Sequence, residues 1–434
     1  MGPDLRCYGL QEKRSTMDTT SVTIVALAII LYSLVSARLR QSVITAPIVF
    51  VSFGLFVGNA GFRLIDFRLE HDVIHLLAEL TLIVVLFTDA SRIDLKLLRR
   101  EHDLPVRLLT IGLPLCMLIG TITAWWLFPE FGFWQAAVLA AVVAPTDAAL
   151  AHAVVTNKLV PTRIRQAISV ESGLNDGLCL PLFLTFLCAA RVAEHLETTA
   201  YWVQFAAMQI GFGPLVGICV GYIGGKLIER SAIHKWISHS FLELTTIALA
   251  LVAYGAAESV GGNGFIAAFC AGLTVGNVSR SICRAIHEFA DAEGQLLTLL
   301  VFLIFGAVLL PQAYSNLTFT GMLFAILALT VLRMLPVAIS LIGTRLRGET
   351  RWFIGWFGPR GVASIVFALV LLKEIEVPAR QDIFAIAMAT VALSVFCHGL
   401  TAYPLAKWYA VRTERAKEIS AAMEHEPLSE MPFR

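Results

Sequence analysis

The sequence predicts an all-α polytopic membrane protein of about thirteen transmembrane helices, an inverted repeat (6+1+6) whose fifth and twelfth helices are broken and cross. Three observations point there. Of the 434 residues, 57% are hydrophobic and 15% charged, against about a quarter charged in soluble domains. The apolar residues gather into runs able to cross a hydrocarbon layer of about 30 Å, which takes about 20 helical residues, and the mean hydropathy is +0.75. Lys and Arg also concentrate in alternate loops.

The runs follow one another as separate elements. The first, 21–38, succeeds a polar leader over 1–20 that reads as disordered; it is better read as a spanning helix than as a removed signal segment. The second, 41–60, starts after Arg38 and Arg40 and ends at GNAG. The third, 72–90, carries Glu79 and Asp89; the fourth spans 104–128. The fifth, 134–155, contains APTDAALAHA, and the sixth, 166–190, contains ISVESGLNDGLCLPLF. Runs at 202–228, 238–258, 263–278 and 291–311 follow, the eighth and ninth separated by a Gly-rich turn. The eleventh, 316–343, holds Arg333; the twelfth, 352–373, contains FGPRGVAS; the thirteenth is 381–410.

Loop charge tests that register. Loops after odd-numbered runs, with the adjoining run ends and the tail as far as Lys417, hold 22 Lys and Arg residues, whereas those after even-numbered runs hold only Arg63, Arg68, Arg191, Lys373 and Arg380. The positive-inside rule then predicts a cytoplasmic C-terminus and an outside N-terminus. Arg6, Lys13 and Arg14 oppose this, and a start at Met17 would remove them. The eight cysteines show no CxxC spacing and read as small apolar residues, not as a disulfide or metal framework. No GxxxxGK[ST] run occurs, so neither ATP nor another cofactor is expected.

Charge at bilayer centre costs about 2.5–3.5 kcal/mol on insertion scales, so each such residue needs a partner or a task. On the sixth run Ser172 and Asp176 share one face, and Glu171 and Asn175 the neighbouring one. Asp176 with Ser172 offers the oxygen ligands that a hard monovalent cation prefers. Glu171 needs a cation, and Arg360 is the best placed; the pair is read as holding architecture. On the fifth run Pro145 breaks the helix, bringing Thr146 and Asp147 to freed backbone. Gly358, Pro359 and Gly361 do the same around Arg360, and matched breaks in two halves point to a transport site. Glu79 reads either as one more oxygen for that site or as a hydrogen-bonding group within the bundle. Asp89, Glu243 and Glu293 lie nearer helix ends, where water reaches them, and Glu258 reads as solvated. Arg333 is deep enough to need a partner that the sequence does not name. His152 and His398 read as satisfied core histidines.

APTDAALA, ESGLNDG and FGPRGVASIV, in this order and on these helices, resemble the NhaP-type monovalent cation:proton antiporters, prokaryotic relatives of the sodium/proton exchangers. The resemblance spans about 21–410. It implies an ion and proton site of Asp176, Asp147, Thr146, Ser172 and Glu79, all five as Na⁺ ligands, with Asn175 and the Glu171–Arg360 pair supporting it. It also implies a homodimer: an interface domain over 21–103 and 236–313, a sliding core over 104–199 and 314–410, a linker helix over 200–235 and a short cytoplasmic tail over 411–434. Electrogenic relatives carry two Asp where this chain has Asn175–Asp176, so electroneutral one-for-one exchange is expected. Many relatives also have Pro where this chain has Ala148.

The function expected is secondary antiport of Na⁺ or Li⁺ for H⁺ through one carboxylate site with alternating access, with K⁺/H⁺ exchange at the same site as the alternative and a cation channel as a more distant one. The protein is expected in a bacterial inner membrane, with lipid and a second copy as its partners, and with no nucleic acid and no enzymatic activity. An intramembrane aspartyl protease would also bury two Asp, but it would show Tyr-Asp and Gly-x-Gly-Asp, and neither occurs. A channel needs no titratable acid at its binding point.

Overall fold

A computed structural model of the chain describes residues 19–39, 42–58, 60–63, 71–93, 95, 103–157, 160–192, 199–279, 294–374 and 376–417. Within them the chain is α-helical with two π-helical turns. Eight helices are long and apolar enough to cross a membrane, and four shorter apolar helices accompany them.

In chain order the helices are α1 (Thr19–Leu39), α2 (Ala46–Val57), α3 (His71–Ser91) and α4 (Asp103–Leu127). The fifth is in two pieces, α5a (Phe133–Val142) and α5b (Ala148–Val155). Next come α6 (Thr162–Val192), α7 (Thr199–Ile233), α8 (His239–Ser259), α9 (Gly264–Val278) and α10 (Gly294–Tyr314). Then follow α11 (Phe319–Ser340, interrupted at Thr330), the two pieces α12a (Gly348–Trp356) and α12b (Val362–Lys373), and α13 (Arg380–Lys417). A helix thus occupies every apolar run, and the two runs expected to break do so. The polar leader up to residue 18, the tail beyond 417, and Glu293 lie outside the described residues.

Two groups of helices pack among themselves. In one, α4 lies on α5a, α5a on α6, α11 on α12a and α13, and α12b on α13. In the other, α9 is surrounded by α3, α7 and α8. α2 packs on the π-turn Phe305–Leu309 of α10, and α10 leans on α13. The groups meet where α3 touches α12b and α6, and where α6 touches α7 and α9. Outward faces of α1, α4, α7 and α8 leave large apolar side chains uncovered, among them Leu34, Trp126, Leu227 and Phe241. Such all-round exposure of apolar residues suits a hydrocarbon solvent.

The breaks also divide the interior. One apolar cluster takes residues of α5a and α12b, among them Val142 and Val366; a second takes Ala151 and Val154 of α5b and Phe353 of α12a. A polar layer at the breaks lies between two apolar ones.

Candidate functional site

Pro145 has no N–H to donate and its ring bars the carbonyl four residues back, so helix stops at Val142 and resumes at Ala148. Residues 143–147 between them are buried, as are 357–361 between α12a and α12b. The two stretches of unwound backbone touch: the Asp147 N–H donates to the Pro359 carbonyl at 2.7 Å. Four half-helix ends therefore meet in one place, each with unsatisfied backbone groups and a partial charge.

Two side chains answer those charges. Asp147 accepts from the Leu150 N–H at 3.2 Å through Oδ1 and from the Val362 N–H at 2.8 Å through Oδ2. One carboxylate thus caps the positive ends of both α5b and α12b. Arg360 does the converse, donating through Nη1 to the carbonyls of Ala144 and of Pro145, the latter at 3.2 Å, just past the end of α5a. The chain on α12 must stay slim for this. A Cβ at Gly361 would run into the Asp147 carboxylate, and one at Gly358 into the Arg333 guanidinium. Gly361→Ala is expected to push Asp147 off the Val362 N–H, costing about 0.5–2 kcal/mol for the lost cap. Thermal unfolding in detergent reads this, and an unchanged midpoint would mean that the carboxylate finds another cap.

The α6 face supplies the neutral oxygens. Asn175 donates through Nδ2 to Thr146 Oγ1 at 3.1 Å and to the Ala144 carbonyl at 3.5 Å, and Thr146 donates to Ser172 Oγ at 3.3 Å. Thr146, Ser172 and Asn175 are all buried, as is Asp176 one turn beyond Ser172. Asp176 Oδ1 is sealed from solvent and has no hydrogen-bond partner among the described residues. Asp147 and Asp89 both act on it electrostatically. Among the described residues no three His, Cys, Asp or Glu side chains are grouped to hold a metal ion. One unsatisfied carboxylate beside hydroxyl and carbonyl oxygens suits a hard, singly charged cation better than a transition metal.

One expected charge pair is corrected, and of the two readings of Glu79 the hydrogen-bonding one is what the structure displays. Glu171 pairs with Arg333, not Arg360: Nη1 meets Oε1 at 2.5 Å and Nη2 meets Oε2 at 2.7 Å, both side chains sealed. The interruption of α11 at Thr330 sets Arg333 facing α6, while the Arg360 guanidinium is taken by the Ala144 and Pro145 carbonyls of the unwound stretch after α5a. Glu79 meets Lys373 Nζ at 3.1 Å in a half-exposed pair. Lys373 ends α12b, roughly 16 Å along it from Val362 at about 1.5 Å rise per residue. The third-helix carboxylate near the breaks is Asp89. With Arg92, Ile93, Ala148, Ser169, Val170 and Gly173 it lines a cavity of about 40 Å³ beside α5b and α6. Sequence depth favoured Glu79, at mid-run. The contact of α3 with α6 is the signal that depth does not carry. His398 is buried and hydrogen-bonded as expected, whereas His152 is exposed.

The chain has relatives on both sequence and structure. The profile of the family "Sodium/hydrogen exchanger, transmembrane" matches residues 23–408. The K⁺/H⁺ antiporter NhaP of Alkalimonas amylolytica is 26% identical over 397 residues, covering 90% of this chain and 67% of that protein. The K⁺/H⁺ antiporter NhaP2 of Shewanella sp. (strain ANA-3) is 27% identical over 383 residues, covering 87% and 65%. The chain thus spans about two thirds of the length of these curated relatives. Among solved structures, the sodium proton antiporter MjNhaP1 from Methanocaldococcus jannaschii superposes with a TM-score of 0.74 at 21% identity, covering 91% of this chain and all of that one.

Proposed function

The chain belongs to the transmembrane sodium/hydrogen exchanger family, and from that membership we propose that it is a secondary-active antiporter exchanging a monovalent cation for protons at Asp176. The observation that carries this is the Asp176 carboxylate, buried with an unpartnered oxygen in a layer of hydroxyls and freed carbonyls. A carboxylate so placed holds a cation or a proton, but not both well, and that competition alone couples two opposite fluxes. Ser172 and Thr146 add neutral oxygens, Asp147 holds the half-helix ends and Asp89 lines the approach.

K⁺ is the first cation to try. Two curated relatives, covering 90% and 87% of this chain, are named K⁺/H⁺ antiporters, which favours potassium over the sodium or lithium that the resemblance implies. Na⁺ is the second reading, favoured by the Na⁺/H⁺ antiporter of Schizosaccharomyces pombe, 25% identical over 319 residues. The test is a matrix of cation against pH in proteoliposomes with a trapped pH dye and no imposed voltage. The expected result is a proton flux on adding K⁺, larger than with Na⁺ or Li⁺. Larger responses to Na⁺ would reverse the order, and none to any cation would remove the antiport reading.

Exchange is read as one cation per proton, because this chain has Asn175–Asp176 where the resemblance implies two adjacent Asp in electrogenic relatives. Thirteen crossings in an inverted repeat with a cytoplasmic C-terminus are supported by the helix in every run and by loop charge. The packing of α4, α5a, α6, α11, α12 and α13 on one another supports a core that moves as a unit against α3, α7, α8 and α9. The family resemblance adds a homodimer.

A further inference from the structure

The break in α12 leaves a backbone group without a helical partner on each edge, the Trp356 carbonyl where α12a ends, which accepts from the Gly358 N–H at 2.9 Å, and the Arg360 N–H before α12b begins. Both are taken by one strip of α13. His398 Nε2 lies 2.9 Å from the Trp356 carbonyl, which can only accept, so this nitrogen carries the hydrogen. The Arg360 N–H donates to Ser394 Oγ at 2.6 Å. Ser394 Oγ and the Ser394 carbonyl both lie 3.1 Å from His398 Nδ1, and with Nε2 protonated and the ring neutral Nδ1 accepts the serine hydroxyl hydrogen and gives nothing to the carbonyl. Thr401, on the same face three residues on, accepts from Trp356 Nε1 at 3.0 Å. Ser394, His398 and Arg360 are all buried.

We infer that Ser394 and His398 are positioning residues for the transport site: their relay clamps both edges of the α12 break, and so fixes where Arg360 and the start of α12b stand. This rests on the antiport reading. Arg360 then reaches the carbonyls of α5, and the Val362 N–H reaches Asp147. A neutral ring with its hydrogen on Nε2 joins Trp356, Ser394 and Arg360 in one relay, whereas a second ring proton would be given to the Ser394 carbonyl and leave the Ser394 hydroxyl hydrogen without its acceptor. His398 holds geometry and carries no transported proton. The charged groups that act on it are Arg360 and Arg333.

The test uses the full chain in proteoliposomes with His398→Gln, His398→Leu and Ser394→Ala. His398→Leu is expected to lower the maximal exchange rate about tenfold or more, as small misplacements of a reacting site do. Ser394→Ala should lose several-fold by the same route. Glutamine supplies both a donor and an acceptor, so His398→Gln should recover most of the rate with the pH profile of the parent protein. Amide hydrogen exchange over residues 357–362 gives a readout independent of transport, faster in His398→Leu and Ser394→Ala. Parental rate and protection in either of those variants would overturn the inference, as would a pH profile displaced by His398→Gln. Absence of exchange in the parent protein would instead sink the antiport reading, leaving the clamp to be judged on amide protection. If His398→Leu fails to fold, Ser394→Ala, which deletes one hydroxyl, decides.

Discussion

Reconstituted Asp176→Asn protein is expected to exchange no cation for protons above the level of protein-free vesicles, while folding and unfolding like the parent. The amide keeps the shape of the carboxyl but holds neither a proton nor a negative charge at neutral pH. Asp176 Oδ1 has no hydrogen bond to lose, so the substitution breaks no internal contact there. Removing the charge also relieves its electrostatic interaction with Asp147 and Asp89. Stability should therefore stay level or rise. The split between lost exchange and kept fold is what marks a transport group rather than a structural one. Retained exchange in Asp176→Asn would shift the site elsewhere in the polar layer.

The second large effect concerns the Glu171–Arg333 pair and is one of stability. Both partners are sealed and joined by two hydrogen bonds. Taking away one leaves an uncompensated buried charge, at about 3–5 kcal/mol, whereas replacing both by apolar residues of similar volume is often neutral. Glu171→Leu and Arg333→Met should each lower the unfolding midpoint in detergent sharply, and the double variant should recover much of the loss. Arg360→Met should show no such recovery with Glu171→Leu, since Arg360 answers backbone carbonyls. A double-mutant cycle coupling Glu171 to Arg360 more strongly than to Arg333 would contradict this pairing.

The architecture was legible because its causes are local. Twenty-residue apolar runs are helices in a membrane for want of any other way to satisfy their backbone. Pro145 beside Thr146–Asp147 and the Gly358–Pro359 pair beside Arg360 mark the breaks, and the structure breaks at both, whereas Pro181, Pro214 and Pro404, without such polar neighbours, sit inside unbroken helices. The i, i+4 spacing on α6 puts Ser172 with Asp176 on one face and Glu171 with Asn175 on the next, and Ser172 and Asn175 both meet Thr146 in the fold.

Facing between distant segments was not legible. Glu171 and Arg333 are 162 residues apart, and sequence offered two deep arginines with nothing to rank them beyond the motif in which Arg360 sits. On α3, position along the helix pointed to Glu79 at the middle, while rotation about the axis decides which acid meets α6, and that is Asp89. Asp147 was expected as a ligand. Its hydrogen bonds to two half-helix N-termini follow from the crossing of α5 and α12, a relation that neither segment encodes alone.

Competition at one carboxylate is the claim on which the transport account stands, and the apparent KM for the cation as a function of pH tests it most directly. If cation and proton exclude one another at Asp176, that KM falls as pH rises, by up to about tenfold per unit on the acid side of the group's titration, and then levels. A cation KM independent of pH, with only the maximal rate changing, would show that the two ions bind separately and would contradict the account.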